Sequence, residues 1–284
     1  MPPAALPDLL LEPLIRAALT EDLAPMGDAT SRAVIPAGLH WAAVINAREA
    51  GVVSGLHLAA IAFRLVDPSL TLDPLLTDGH PVSAGQPLLR VSGPAASILM
   101  AERVALNFAG RLSGIATQTA AFVAQTHGTK ARITCTRKTT PGLRAVEKLA
   151  VLHGGGSNHR YGLSDAILIK DNHIAAAGGV AAVLTAAAAR SHMMRIELEV
   201  DRLDQLDEVL TLGLADVVLL DNMDTATLAR AVRMVAGRLV TEASGNMALG
   251  RIAEVAATGV DYISAGALTH SARTLDLGLD AVAF

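Results

Sequence analysis

Two rhythms of apolar and polar positions divide this chain. Residues 41–47, 70–76 and 88–91 are short, partly alternating runs, broken by Asp78-Gly79 and Gly93-Pro94. Alternation between turn residues predicts half-buried strands, and helical spacing over 56–65 predicts a helix covering them. Residues 1–22 read as an amphipathic first helix. The pattern over 96–127 is helical and long, with a break expected at Ser113-Gly114 and a domain junction in this segment. Beyond Lys130, apolar runs recur at 132–136, 166–170, 195–200, 216–221, 239–244 and 262–266, with Ala-rich helical stretches between them. Strands alternating with helices imply βα units on a parallel sheet. Their spacing, roughly twenty to thirty residues per unit, predicts an open βα barrel beside a smaller N-terminal α/β domain. A doubly wound open sheet is the competing architecture. The divisions expected are an N-terminal domain with linking helix at 1–112, a barrel at 113–270, and a C-terminal segment at 271–284 that returns to the N-terminal domain.

The ends of the later runs carry the chemistry. They finish at Arg137-Lys138, Lys170, Glu199, Asp221, Glu242–Ser244 and Gly266. Strand interiors are apolar, yet charged or phosphate-compatible residues stand at nearly every C-terminal end. In a βα barrel those ends converge on one mouth. One charged strand end is commonly a solvated face; a series of them points to a site.

Composition narrows the class. Hydrophobic residues make up 51% of the 284 and aromatics 2%, so the core is built from Ala, Val, Leu and Ile, as suits helices packed on a parallel sheet. No apolar run is long enough to cross a bilayer. Asp8, Glu12 and Arg16 interrupt the start where a signal peptide needs an apolar centre. The single cysteine, Cys135, cannot form an internal disulfide, which fits a reducing compartment. The expectation is a cytoplasmic protein that engages no membrane. The net charge of −4 argues against general nucleic-acid binding. Between Lys130 and Lys170, however, eight Lys and Arg face two acids, a balance of +6. These charges sit among Gly-rich turns and strand ends, which favours an anion-binding cleft over a solvated face.

Thr136-Arg137-Lys138 opens the first basic turn, where Arg offers a rigid fork and Lys a mobile charge for carboxylate or phosphate. Gly154-Gly155-Gly156-Ser157-Asn158-His159-Arg160 is a second, its glycines letting backbone approach a ligand. Neither is a P-loop or a dinucleotide fingerprint. Lys170 ends the next strand, with His173 read as a hydrogen-bonded structural residue. Glu197, Glu199 and Asp201 alternate and so share one strand face. Glu199 and Asp221, on neighbouring strand ends, suit a hard cation such as magnesium or serve as salt-bridge partners for the basic residues. Ser244-Gly245-Asn246 and Ala265-Gly266-Ala267, the latter followed by His270, are small-residue turns suited to phosphate. Cys135 lacks a supporting base pattern and reads as a small buried residue.

These stretches resemble the quinolinate phosphoribosyltransferase family. The resemblance rests on Gly27-Asp28-Ala29-Thr30, Glu102-Arg103 with Ala105-Leu106-Asn107, Ser113 to Thr117, Thr136 to Arg144 and Gly154 to Arg160. Ile169 to His173, Glu197 to Val200, Leu220-Asp221-Asn222, Glu242 to Gly245 and Gly266 to Ser271 complete it in family order. It departs at Cys135, where an acidic residue is common, and at Asn246, where a second glycine is common.

The resemblance implies a homodimer whose active site is shared between subunits. It implies that Arg137, His159, Arg160 and Lys170 hold the carboxylates of quinolinate, with Thr136 in the same turn, Lys138 near the sugar phosphate and Arg103 reaching in from the partner. Glu199 and Asp221 would serve ribose and Mg2+. Ser244, Gly245, Asn246, Ala265, Gly266, Ala267 and His270 would take the 5′-phosphate of phosphoribosyl pyrophosphate. The activity implied is phosphoribosyl transfer to quinolinate with decarboxylation. The alternatives are a same-fold phosphoribosyltransferase for another planar acid, and a non-catalytic sensor of a phosphorylated metabolite.

Overall fold

The computed structural model describes residues 5–23, 25–190 and 192–282. Residues 1–4 of the expected first helix and 283–284 of the expected C-terminal segment lie outside them.

In chain order, the first stretch holds α1 (Asp8–Leu23), α2 (Ala29–Val34), β1 (His40–Ala47), β2 (Gly51–Val52), α3 (Leu56–Val66), β3 (Thr71–Pro74), β4 (Pro81–Val82), β5 (Pro87–Pro94) and α4 (Ala95–Ala124). Next come β6 (Arg132–Thr134), α5 (Arg144–His153), β7 (Ile167–Ile169), α6 (Asp171–Ala177), α7 (Val180–Ala188), β8 (Ile196–Val200) and α8 (Leu203–Leu212). The last are β9 (Val217–Asp221), α9 (Thr225–Val235), β10 (Val240–Ser244), α10 (Leu249–Ala257), β11 (Tyr262–Ser264), α11 (Ala267–His270) and β12 (Leu277–Ala281). The chain divides into two compact units, each with its own sheet.

The first unit contains residues up to 120, 140–155 and those from 272 onward. Its main sheet is antiparallel, in the order β12-β1-β5-β3. Ala43, Ile45 and Ala47 alternate inward along β1 and are fully buried, the period expected of a half-buried strand. Leu11, Ile15 and Leu19 recur every fourth residue on the buried face of α1, which packs on α3. β12 adds an edge strand along β1, from Ala43 opposite Ala281 to Ala47 opposite Leu277.

The helix break expected at Ser113-Gly114 is absent: α4 runs through it for 30 residues. Both residues answer to packing instead. Ser113 Oγ donates to the Ser54 carbonyl at 3.0 Å, and a Cβ on Gly114 would lie 1.9 Å from the Arg273 carbonyl oxygen. α5, expected within the barrel, packs in this unit. Its Glu147 is fully buried and accepts from Arg111 of α4 at 2.8 Å and from the Thr140 hydroxyl at 2.8 Å. A buried carboxylate holds its position only with such partners.

The second unit is built on six parallel strands in the order β6-β11-β10-β9-β8-β7. Neighbours therefore follow chain order around a cylinder that closes from β11 to β6 and stays open between β6 and β7. Besides its pairing with β11, β6 makes an isolated bridge from Thr134 to Ser157, in the loop that precedes β7. A doubly wound sheet would reverse direction at its middle; this one does not, and the fold is the open βα barrel. β6 and β11 end two residues earlier than their apolar runs suggested. The Lys138 N–H turns back to Thr136 Oγ1 at 3.0 Å, and Gly266 already caps α11. Among the described residues no helix is long and apolar enough to cross a membrane.

Candidate active site

The C-terminal ends of the six barrel strands open into a cavity of about 880 Å³. Strand order fixes how its chemistry is arranged. The loops at the open edge, after β6 and before and after β7, bring Arg137, Lys138, His159, Arg160 and Lys170. β8 and β9 bring Glu199 and Asp221. β10 and β11 bring Ser244, Gly245, Asn246, Gly266, Ala267 and His270. All of these residues, with Thr136, line the cavity. Cations, carboxylates and small turns thus occupy successive arcs of one mouth.

Two expected residues are not in that lining. Arg103 is exposed on α4, in the first unit. Ala265 is buried, and its N–H is donated to the Thr134 carbonyl at 3.0 Å. That bond closes the barrel and leaves Ala265 no donor for a phosphate. Asp201 does not share the inward face of Glu197 and Glu199 as alternation suggested. It falls past the end of β8, its side chain 65% exposed beside Arg202.

The cation arc is shaped by burial. Arg160 Nη1 donates to the Ala166 carbonyl at 3.0 Å, while its Nε is buried with no partner. Burial first, and then the neighbouring Arg137 charge, hold its guanidinium below the usual arginine range. Two cations held close while partly desolvated make a strong anion site. Lys170 Nζ pairs with Glu199 Oε2. The Lys170 backbone N–H donates to His173 Nδ1 at 2.9 Å, which gives His173 its structural place at the start of α6. Cys135 is fully buried, its thiol donating to Asn158 Oδ1 at 3.2 Å.

The turn arc depends on backbone that only certain residues adopt. Gly245 has φ 92°, and a Cβ there would lie 2.2 Å from Asn222 Oδ1. Asn246 has φ 48°; Asn is among the few non-glycine residues that enter the left-handed region readily, which accounts for a side chain where glycine is usual. A Cβ on Gly266 would lie 2.8 Å from Lys138 Cδ, so glycine lets the Lys138 stem cross the mouth. Thr269 Oγ1 donates to the Lys138 carbonyl at 2.7 Å and ties the first loop to the last.

Arg251 escaped the sequence reading, and the pairing of Glu197 with Glu242, each of which it did name, escaped it as well. Arg251 of α10 donates to the Gly245 carbonyl at 3.2 Å and the Met223 carbonyl at 2.6 Å, stapling the loops after β9 and β10. Glu197 and Glu242 are buried around His159, whose Nε2 lies 2.9 Å from Glu197 Oε2 and 3.6 Å from Glu242 Oε1. Burial, then the Glu197 charge, push the Glu242 carboxyl up to about 7. Inward alternation pointed to Glu197 and the end of the fifth apolar run pointed to Glu242, but nothing local marks the two as neighbours.

Fold and site together define a βα-barrel protein whose strand-end mouth is built to hold anionic, phosphorylated ligands. Residues 115–280 match the C-terminal domain of quinolinate phosphoribosyl transferase, and residues 28–113 its N-terminal domain. The chain belongs to the quinolinate phosphoribosyltransferase family. A nicotinate-nucleotide pyrophosphorylase [carboxylating] of Mycobacterium leprae is 45% identical over 94% of this chain and 95% of its own. Quinolinate phosphoribosyltransferase [decarboxylating] 1b of Nicotiana tabacum is 43% identical over 98% of this chain and 84% of its own. The structure of the nicotinate-nucleotide pyrophosphorylase from Francisella tularensis superposes with a TM-score of 0.94 at 37% identity, covering 98% of each chain.

Proposed function

We propose that this chain transfers phosphoribosyl from phosphoribosyl pyrophosphate to quinolinate with loss of carbon dioxide, giving nicotinate mononucleotide and pyrophosphate for NAD biosynthesis. The observation that carries this reading is the division of one barrel mouth into a cation arc, a carboxylate arc and a small-turn arc, in a chain of this family. Each arc suits one part of the two substrates.

Arg137, Arg160 and Lys170 offset the two carboxylates of quinolinate and aim its ring nitrogen at the ribose carbon, an orientation effect. His159, held by Glu197, forms the wall beside them. Lys138 reaches the sugar phosphate. The turns at Ser244–Asn246 and Gly266–Ala267, with His270, take the 5′-phosphate. Departure of pyrophosphate builds positive charge on the ribose carbon, which Glu199 and Asp221 stabilise. Once the ring nitrogen carries the ribose, its positive charge accepts the electrons left when the adjacent carboxylate departs. No covalent enzyme intermediate is required.

Magnesium fits the carboxylate arc: Glu199 and Asp221 are hard oxygen donors on adjacent strands, both open to the cavity. The compact group of His159, Glu197 and Glu242, whose ligand atoms lie within 4.8 Å of one another, fits a metal poorly. Arg160 N–H donates to His159 Nδ1 at 2.8 Å, so Nε2 carries the ring proton and has no lone pair for a cation. When bound at Glu199 and Asp221, the ion would neutralise the leaving diphosphate oxygens.

A homodimer follows from the same reading, because Arg103 is exposed and outside the cavity lining and would serve a second copy. The single thiol, Cys135, buried and reduced, supports a cytoplasmic enzyme.

Purified protein incubated with quinolinate, phosphoribosyl pyrophosphate and magnesium is expected to form nicotinate mononucleotide, read by chromatography. Product from nicotinate but not quinolinate would transfer the reading to the non-decarboxylating class. Binding without turnover of either acid would favour a sensor.

A further inference from the structure

Asn222 stands in the cavity lining at the seam between the carboxylate arc and the small-turn arc. It follows Asp221 at the end of β9 and holds φ at 54°, in the left-handed region. Its backbone N–H donates to the Ser244 carbonyl at 3.1 Å, which fastens it to the end of β10. Its side-chain Nδ2 donates to Asp221 Oδ2 at 2.6 Å. The other edge of the amide lies against the turn after β10. A Cβ on Gly245 would stand 2.2 Å from Asn222 Oδ1 and 2.6 Å from its Cγ. One planar group therefore meets the carboxylate on one side and the turn on the other.

The two members of the carboxylate arc are held differently. Glu199 is paired with Lys170. Among the described residues Asp221 has no such cation, and the Asn222 amide takes that place. The last torsion of an aspartate is broad, so a carboxylate without a partner turns easily. The amide commits Oδ2 and leaves Oδ1 for a ligand. A neutral donor also fixes the carboxylate without cancelling its charge, which a lysine or arginine would do. Left-handed backbone costs a residue with a Cβ, and such strain persists where the surroundings hold it in place. The seam has a second fastening in Arg251, which grips the Met223 and Gly245 carbonyls. The loops after β9 and β10 therefore stay joined without the Asn222 amide.

We propose that Asn222 is a positioning residue for phosphoribosyl transfer: its amide aims the Asp221 carboxylate at the reacting ribose carbon and sets that aim against the turn that takes the 5′-phosphate. The inference rests on the reading that Asp221 stabilises the positive charge built on the ribose carbon as pyrophosphate departs. The two ends of the sugar phosphate are then referred to one rigid group, the 5′-phosphate through Gly245 and the ribose carbon through Asp221. A carboxylate aimed beforehand needs no reorganisation when the charge develops. Errors of aim cost rate more than binding. Asn222 itself forms no bond to the substrate and moves no proton.

The test pairs Asn222→Gly with Asn222→Asp. Glycine enters the left-handed region freely and removes only the amide; aspartate keeps the shape but cannot donate. In both variants kcat with quinolinate, phosphoribosyl pyrophosphate and magnesium is expected to fall about 10- to 100-fold, the scale of one charge-assisted hydrogen bond. The KM for quinolinate, whose cations lie on a separate arc, is expected to stay within about threefold, and the melting midpoint of the glycine variant within about 2 °C. In an Asp221→Ala background, Asn222→Gly is expected to cost less than about twofold more, because it acts through the missing carboxylate. Wild-type kcat in either Asn222 variant would overturn the proposal, as would losses that multiply in the double variant. Wild-type kcat in Asp221→Ala would instead sink the reading of the carboxylate arc, and no product from the wild-type protein would sink the proposed function; either takes the proposal with it. Should the glycine variant fail to fold, the aspartate variant carries the same comparison.

Discussion

At the scale of single residues, the cation arc and the buried glutamates act through opposite physics. Arg137 and Lys170 are exposed enough to lose without opening a cavity, and the proposed function has them meet a charged ligand. Arg137→Ala and Lys170→Ala are each expected to weaken quinolinate binding by about 10- to 100-fold, the scale of one charge-assisted hydrogen bond. Their thermal midpoints are expected to stay within about 2 °C of wild type. Calorimetry with a melting curve checks both, and loss of the folded state in either variant would make it structural. Glu242 instead opposes folding when ionised. Its carboxyl sits near 7 in the fold against 4.5 as the ordinary value. The folded state therefore holds more protons than the unfolded chain between those values. The stabilising effect is complete below about pH 4.5 and is lost as pH rises through about 7, on the order of 3 kcal/mol in all. Denaturant unfolding of the ligand-free protein at pH 5.5 and pH 8 is expected to show this fall, with a flatter response in Glu242→Gln. Equal slopes for the two proteins would refute it. The charges themselves were readable in the sequence, because each follows an apolar run. The proton on Glu242 was not, since Glu197 and Glu242 are 45 positions apart in the chain and only barrel closure brings them together.

Elements were legible wherever periodicity and burial agree. All six barrel strands fall inside their apolar runs, because a strand buried on both faces is mostly apolar, Glu197 and Glu242 being the buried exceptions. Ser113-Gly114 misled for the reverse reason. A small polar residue followed by glycine looks like a helix break, but here it marks where another segment approaches the helix closely. Gly114→Ala is expected to destabilise by about 1–3 kcal/mol, although alanine is the better helix former. The added Cβ meets a backbone carbonyl at 1.9 Å, which cannot swing aside like a side-chain tip. A midpoint unchanged or raised in denaturant would show that Arg273 yields. Gly245→Ala is a parallel case with a functional readout. Its positive φ and its contact with Asn222 Oδ1 predict a distorted turn after β10. The KM for phosphoribosyl pyrophosphate is expected to rise, with quinolinate affinity changed little.

At the scale of the whole molecule, the assembly makes a prediction of its own. If Arg103 serves the cavity of a second copy, Arg103→Ala and Arg137→Ala subunits are each nearly inactive alone when quinolinate is kept well below saturation. Their hybrid dimer holds one intact site and one doubly damaged site. Random mixing then restores about a quarter of wild-type activity, since half the dimers are hybrids with one working site each. No recovery on mixing, with subunit exchange verified by mass spectrometry, would place Arg103 outside the shared site. The linear order of residues determined the alternation of strands and helices, the apolar interiors and the charged strand ends, because those depend on near neighbours and on period. Tertiary structure alone decided that the expected mouth divides into three arcs, that α4 runs unbroken, that the C-terminal segment lies as β12 along β1, and that Ala265 spends its N–H on closing the barrel. Each of these depends on contacts between residues far apart in the chain, and local pattern carries no record of which distant segment will arrive.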